Sequence, residues 1–419
     1  MSSAVAIVNK QRQLLRPMLA AAILLVTSAS LAQATKPTSP YANRGTCAGY
    51  PRVDLQTPPG FCVALLADGS SGLRFPRRVL EVAPGRFWLV DMGSWEAARG
   101  RLLEFMLPAP GEPAAPLTFA VLADKLDRPL GLALGPDGRV WLGEAGRISR
   151  AAIGPAGAPV RLQTVIDGLP ASGAHPLKEI VFGARGKLYL NVGSASDACR
   201  DEAGRQAVPC PETEGAQPRA AVYEATLGGT DFPLQSLRPF ARGLRNSVAL
   251  AYVAGPNLLL QGENSIDYPD ETAPAEELNV LREGAHYGWP YCLGARTPAR
   301  GYEGRFDCGK SAAPAMLWPA HAAPLQMIAV PATAKNVFAG QLLVAWHGYR
   351  AGGHRVVSFT LDPQGKPTGA PRTWIGGWTA APGVRPLGAP TGLAIDAAGR
   401  LLVVEDRHKT LLMLVRDQR

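Results

Sequence analysis

The residue types in this chain that could carry chemistry fall in a few short stretches. His175, in Gly173-Ala174-His175-Pro176, offers an imidazole, the side chain that exchanges a proton most readily near neutral pH. Arg245 and Asn246, in Gly243-Leu244-Arg245-Asn246, place a fixed cation beside an amide. Glu263, Asp267, Glu276 and Glu277 concentrate acid in one segment, which suits either calcium ligation by oxygen or a solvated acidic loop. Further on stand Trp318 and His321 in Leu317-Trp318-Pro319-Ala320-His321, then Arg350 and Arg385. On types alone His175 is equally a surface-loop histidine, Arg245-Asn246 a tether at a strand entry, and the arginines ordinary surface charges.

The elements that must hold these residues form an imperfect repeat. An apolar alternation runs into a glycine-centred turn and out into a second β-rich run, as in PRRVLEVAPGRFWLVD (76–91), PLGLALGPDGRVWLGE (129–144) and PTGLAIDAAGRLLVVED (390–406). Such units read as hairpins. Six of them start at residues 76, 129, 176, 246, 324 and 390. One hairpin with two outer strands makes a four-stranded blade of ~40–50 residues, so the expected fold is all-β, a six-bladed β-propeller. The polar stretches 194–219 and 265–317 interrupt the rhythm and are the expected site-building insertions.

The N-terminus fits an export signal over residues 1–34. Lys10, Arg12 and Arg16 precede the apolar run Met18–Leu31, and Ala32-Gln33-Ala34 follows. That run is shorter than the ~20 residues of a spanning helix, and no later stretch is apolar enough to span. The expected organisation is a signal at 1–34, a lead-in with a disulfide-closed loop at 35–74, and the propeller at 75–419. A periplasmic or secreted location follows. Six cysteines lie as the local pairs Cys47/Cys62, Cys199/Cys210 and Cys292/Cys308, and three disulfides between neighbours are the simplest arrangement in an oxidising space. The net charge of +9 includes three positive charges of the signal and is spread without basic runs. Nucleic acid is therefore a poor partner, whereas a small anion is compatible.

Four stretches together resemble the soluble pyrroloquinoline quinone (PQQ)-dependent sugar dehydrogenases of the glucose and sorbosone type. They are Gly173-Ala174-His175 followed by IVFGARGKLYLNVGS (180–194), Gly243-Leu244-Arg245-Asn246, Gln261-Gly262-Glu263-Asn264-Ser265, and EELNVLREGAHYGWPYC (276–292). The resemblance runs from about Phe75 to Val415. It implies oxidation of a sugar or sugar aldehyde, with PQQ and calcium as cofactors and the quinone lying near the propeller axis.

By that resemblance His175 is the base that takes the substrate's hydroxyl proton as hydride passes to C5 of the quinone, and Arg245 stabilises the negative charge that grows there. Asn246 hydrogen-bonds the quinone, and the carbonyls of Gly262 and Glu263 hold calcium, with Glu277 as an added acidic ligand. Trp318 is the aromatic flanking the cofactor. His321 stands in for a hydroxyl residue, Arg350 for a lysine that some members carry, and Arg385 is a candidate carboxylate clamp. Two departures stand out: Ala174 occupies a position that is acidic in glucose-oxidising members, and Glu263 replaces a proline. The motif His286-Tyr287-Gly288-Trp289-Pro290 reads as architectural, since no partner for His286 is visible in the sequence. Aldose, sugar aldehyde and polyol all remain open as substrates. Electrons must leave for a separate carrier, since no Cys-x-x-Cys-His haem attachment occurs. A calcium-dependent lactonase needs a ring of acids at the blade mouths and finds His175, Arg245 and Asn246 instead; a non-catalytic binding propeller is the other alternative.

Overall fold

The structure, a computed structural model, describes residues 41, 43–201, 203–378 and 388–417. The expected signal at 1–34 and Arg385 lie outside the described residues.

Alternating strands bury one face against the blade before and the other against the blade after, so each sheet is apolar on both sides. Blade one holds Pro76–Ala83, Arg86–Asp91, Gly100–Met106 and Ala120–Leu126. Blade two holds Leu132–Leu134, Val140–Gly143, Ile148–Ala151 and Gln163–Ile166. Ile180–Phe182, Lys187–Val192, Ala221–Leu227 and Leu234–Arg242 make blade three. Blade four comprises Ala249–Val253, Leu258–Glu263, Glu276–Leu281 and Met316–Trp318. Pro324–Ala329, Gln341–Trp346, Arg355–Leu361 and Pro367–Ile375 form blade five. Blade six begins with Pro390–Ile395, Leu401–Glu405 and Thr410–Arg416. The first strand of each blade touches the first strand of the next, and Pro390–Ile395 returns to Pro76–Ala83, which closes the ring. The fold is the six-bladed propeller that the repeat implies.

Blade six reaches across the expected boundary at residue 75. Its outer strands come from the other end of the chain: Phe61–Ala67 pairs antiparallel with Thr410–Arg416, and Tyr50–Val53 and Asn43–Cys47 follow outward. The segment read as a lead-in therefore clasps the ring shut, and the Cys47–Cys62 disulfide staples the clasp. The bridges Cys199–Cys210 and Cys292–Cys308 complete the three local pairs.

One guanidinium plugs the axis. Arg78 of blade one donates to the carbonyls of Arg77 (3.0 Å), Thr391 (2.5 Å), Leu325 (2.6 Å) and Val248 (3.3 Å), and to the carboxylate of Glu179 (2.7 and 2.5 Å). These partners come from blades one, six, five, four and three, so a single side chain satisfies backbone acceptors that the converging strands leave unpaired. Above it a ring of Met92, Leu130, Leu177, Val248 and Leu325 packs together, one residue from each of five blades. Replacing Arg78 by methionine leaves Glu179 and four carbonyls without their donor in the dry axis. It should cost about 3–5 kcal/mol of stability, measured as the urea midpoint of the disulfide-intact protein.

The two insertions build a satellite core of their own. Ala198, Cys199 and Cys210 from the first pack with Trp289, Tyr291, Cys292, Tyr302 and Cys308 from the second. The Tyr291 hydroxyl accepts from the Cys210 backbone N–H (2.6 Å), and the Trp289 indole donates to the Asp197 carbonyl (2.9 Å). His286, whose partner the sequence did not reveal, sits 3.1 Å from Glu214 of the first insertion. This contact links the two insertions.

Candidate active site

The cleft opens on the face where the innermost strands begin, directly over the apolar ring. It has two adjoining lobes of about 530 and 480 Å³. His175, Asn246, Asn264, Ala323, His347 and Tyr349 line both. Phe75, Arg77, Trp95, Asp406, Arg407 and Lys409 belong to the first lobe; Arg245, Ser265, Glu276, His321 and Arg350 belong to the second.

His175 enters on the segment just before blade three's first strand. The Ala174 N–H donates to the Ala195 carbonyl (2.8 Å), pinning that segment to the start of the first insertion. A Cβ on Gly193 would lie 2.5 Å from the Cβ of His175, so glycine there makes the close approach feasible. The imidazole's orientation is fixed by Ser194. The Ser194 hydroxyl donates to the Ser196 carbonyl (2.6 Å), so it receives the Nδ1–H of His175 (2.8 Å), with the Ser194 carbonyl also near (3.2 Å). That tautomer leaves Nε2 with its lone pair. Ser194 thus orients the ring without an acid at position 174. Burial, then the charges of Arg245 and Arg219, lower the pKa of His175 to about 3, so the ring is uncharged at physiological pH.

Arg245 is only 4% exposed and is held from both insertions. Its Nη2 meets Asp197 (2.7 Å) and Asp267 (2.8 Å), Nη1 donates to the Asn264 carbonyl (3.0 Å), and Nε to the Asp197 carbonyl (3.2 Å). A guanidinium caught at four points is positioned before any ligand arrives. Asn246 follows it on the cleft wall, its carbonyl accepting from Asn264 (3.2 Å).

The acidic candidates divide. Glu263 and Glu277 face each other across adjacent strands of blade four, outside the cleft lining. Gln261 donates to Glu263 (2.6 Å) and Asn279 to Glu277 (3.1 Å), so both carboxyls are enclosed in a buried amide network. Gly262 sits in the same ladder, opposite Leu278. Glu276 points the other way and lines the second lobe, accepting from the N–H groups of Ser265 (2.6 Å) and Ala323 (3.2 Å). The buried hydroxyl of Ser265 has no partner.

Burial, foremost, raises Glu263 and Glu276 to about 8 and Glu277 to about 7, and Glu277 adds to the shift of Glu263. Each binds its proton more tightly folded than unfolded. Their contribution to stability is complete below the unfolded carboxyl range and fades as pH rises through 7 to 8. Thermal midpoints of metal-free protein should therefore fall from about pH 5 to about pH 8, and Glu263→Gln should flatten the slope.

Trp318 is the clearest displacement. It lies between blades four and five, 3% exposed, against Trp346 and Phe359 (centroids 5.7 and 5.6 Å), and does not line the cleft. Tyr349, Phe75 and Trp95 supply the cleft's aromatic surface instead. His321 and Arg350 do line the second lobe, where both donate to the Asp270 carbonyl (2.6 and 3.0 Å). Sequence reasoning missed a buried cluster: Asp406 joins Arg77 (2.6 Å) and His347 (3.0 Å) in the first lobe. Burial would raise Asp406, but His347 and Arg77 outweigh it and hold its pKa below the ordinary value.

A flat tricarboxylate with quinone oxygens fits this donor set. Arg77, Arg407 and Lys409 sit in one lobe and Arg245 and Arg350 in the other, with two asparagine amides between. The buried Nε of Arg77 has no acceptor and would gain one from a ligand carboxylate. For calcium, no group of three or more His, Cys, Asp or Glu side chains is gathered among the described residues. Among the oxygens at the cleft, those of Glu276 and of Ser265, whose buried hydroxyl has no partner among the described residues, would suit an ion that draws its other ligands from backbone and cofactor.

No family model matches the chain, and no curated protein matches it. Solved structures do. A calcium structure of a Trichoderma reesei protein of Carbohydrate-Active Enzymes family AA12 is 19% identical, covers 89% of this chain and 99% of its own, with a TM-score of 0.68. The holo PQQ domain of a pyranose dehydrogenase from Coprinopsis cinerea is 20% identical over 88% of this chain and 98% of its own, TM-score 0.68. The soluble aldose sugar dehydrogenase of Escherichia coli, in its apo form, is 16% identical over 85% and 99%, TM-score 0.58. The chain has the propeller fold of these proteins.

Proposed function

We propose that the chain is an exported quinoprotein dehydrogenase that oxidises a sugar, with His175 as general base and PQQ and calcium as cofactors. The observation that carries this reading is the tautomer of His175: Ser194 takes the Nδ1 proton and leaves Nε2 to accept one, beside a pre-set Arg245. The four motifs and the likeness in fold to the Coprinopsis and Escherichia proteins support it.

His175 takes the proton of the substrate hydroxyl at Nε2 while Ser194 keeps the ring from turning. Arg245 and Asn246 stabilise negative charge in the second lobe, where Asp197 and Asp267 prevent the guanidinium from swinging away. Arg77, Arg407, Lys409 and Arg350 would hold the cofactor's carboxylates, Arg350 in place of the family's lysine. Glu276 and Ser265, rather than Glu263 and Glu277, would hold the calcium, since they line the cleft. Bound there, the quinone supplies the acceptor for the hydride that leaves the substrate carbon. The apolar ring beneath keeps bulk water from below the reacting atoms. Electrons then pass to a separate carrier. Three disulfides agree with export to an oxidising space, and no helix among the described residues is long and apolar enough to cross a membrane.

The test is dye reduction by purified apo-protein given PQQ and calcium, across aldoses, sugar aldehydes and polyols. Saturable activity that a chelator removes supports the reading. Activity with none of these substrates overturns it.

A further inference from the structure

We infer that Glu212 and Arg219, which lie outside the lining of the cleft, are positioning residues that decide which ring nitrogen of His175 carries the proton. The inference rests on the dehydrogenase reading for what that choice does to the reaction; the hydrogen bonds stand without it. A serine hydroxyl can donate or accept. Ser194 receives the Nδ1–H of His175 only while its own proton is committed to the Ser196 carbonyl (2.6 Å). If the hydroxyl turned and donated to Nδ1, the ring proton would sit on Nε2 and that atom would have no lone pair.

The direction of the Ser196 carbonyl is therefore decisive, and Glu212 sets it. One carboxylate oxygen accepts the N–H groups of Ala195 (2.5 Å) and Ser196 (3.2 Å), and the other accepts the Ser196 hydroxyl (2.5 Å). The next residue, Asp197, is held by Arg245 (2.7 Å), so the Ser196 carbonyl is fixed from both sides. Arg219 grips the preceding residues. Its Nε donates to the Gly193 carbonyl (3.0 Å), and its Nη2 to the carbonyls of Ser172 (2.7 Å) and Ser194 (3.4 Å). That fork ties the serine turn to the segment that carries His175. The Arg219 N–H donates to the Glu212 carbonyl (2.6 Å), which makes the two clamps one unit. The Cys199–Cys210 disulfide closes the loop just before the helical turn Pro211–Glu214 that presents Glu212. Successive side chains on such a turn point about 100° apart, so three consecutive residues reach three segments. Glu212 takes the serine turn, the Thr213 hydroxyl accepts the N–H of Gly243 (3.2 Å) just before Arg245, and Glu214 meets His286 (3.1 Å). Burial, then the Arg245 charge, keeps the imidazole uncharged, and the Arg219 charge adds to both.

The readout is the tautomer itself, in apo-protein with its disulfides intact. Long-range proton–nitrogen correlation spectra of protein carrying isotope-labelled histidine report it, and His175→Ala assigns the resonance. Wild-type His175 should carry its proton on Nδ1. Glu212→Ala should move it toward Nε2 and lower kcat of the PQQ- and calcium-loaded protein by about tenfold, with KM little changed. Glu212→Gln keeps an oxygen for the two N–H groups and turns its amide to the Ser196 hydroxyl, so it should restore most of both. Arg219→Lys keeps the charge and loses the fork. It should shift the tautomer in the same direction, and it decides the matter if Glu212→Ala fails to fold. A wild type with its proton on Nε2 overturns the clamp, as does a tautomer unmoved in both Glu212→Ala and Arg219→Lys. A tautomer that moves in protein without any dye reduction supports the clamp and sinks the dehydrogenase reading. Dye reduction with an unmoved tautomer does the reverse, so the two fail separately.

Discussion

Replacing His175 by alanine is expected to lower kcat of the PQQ- and calcium-loaded protein by about 10²–10⁴-fold, with the cofactor still bound. The expectation rests on how little else His175 does. Among the described residues its ring makes hydrogen bonds only to Ser194, and its burial places an uncharged group at the cleft wall. Removing it opens space at a lobe that already admits ligand, so the thermal midpoint should move little. Ser194→Ala should act in the same direction but less severely, because the ring remains and loses only the bond that fixes its tautomer. The measurement is steady-state dye reduction together with a PQQ titration of each variant. A His175→Ala protein that turns over at the wild-type rate would remove the base from the account.

The second large effect belongs to Arg245. Arg245→Ala should reduce kcat by about 10²–10³-fold, the usual loss when a pre-set charge donor is deleted. It carries a second signature that mere loosening of the fold would not give. Burial is the main reason that the pKa of His175 is lowered, and the Arg245 charge is the next. With the guanidinium gone, His175 should titrate at higher pH, visible in the imidazole resonances of the apo-protein followed against pH. The partial variants Asp197→Asn and Asp267→Asn keep the guanidinium but slacken its anchoring, so they should lower the rate without the upward shift in titration that Arg245→Ala gives. An Arg245→Ala protein whose His175 titrates unchanged would separate the two residues and contradict the site as drawn.

Much of the fold was legible because its determinants are local. Hairpin starts read at 76, 324 and 390 coincide with the first strands of their blades, and those read at 129, 176 and 246 precede theirs by a few residues. Those few residues lie at the cleft face, which is why they carry Leu130 and Asn246, with His175 directly before the start at 176. The disulfides followed from sequence proximity for the same reason. The clasp of blade six was not legible, since Phe61–Ala67 pairs with a strand at the far end of the chain and nothing local specifies that partner. Within the site, His175, Arg245 and Asn246 converge as the motifs implied. Asp406 and its partners Arg77 and His347 could not be read, because their meeting depends on ring closure between blades one, five and six. Alternation explains the rest. Glu276 and Glu277 are neighbours in sequence and point to opposite faces of one strand, so only one of them reaches the cleft. Trp318, in register with Glu276, goes into the packing between blades.

The most direct test of the central claim is equilibrium binding of PQQ to the purified apo-protein in the presence of calcium, followed by quinone absorbance and intrinsic tryptophan fluorescence. The account predicts saturable binding of one PQQ per chain at micromolar concentration or tighter, weakened in Arg77→Ala, which removes the one cation among the described cleft residues with an unpartnered buried N–H. Absence of binding at those concentrations would contradict it, and would leave a propeller whose cationic cleft serves a different ligand.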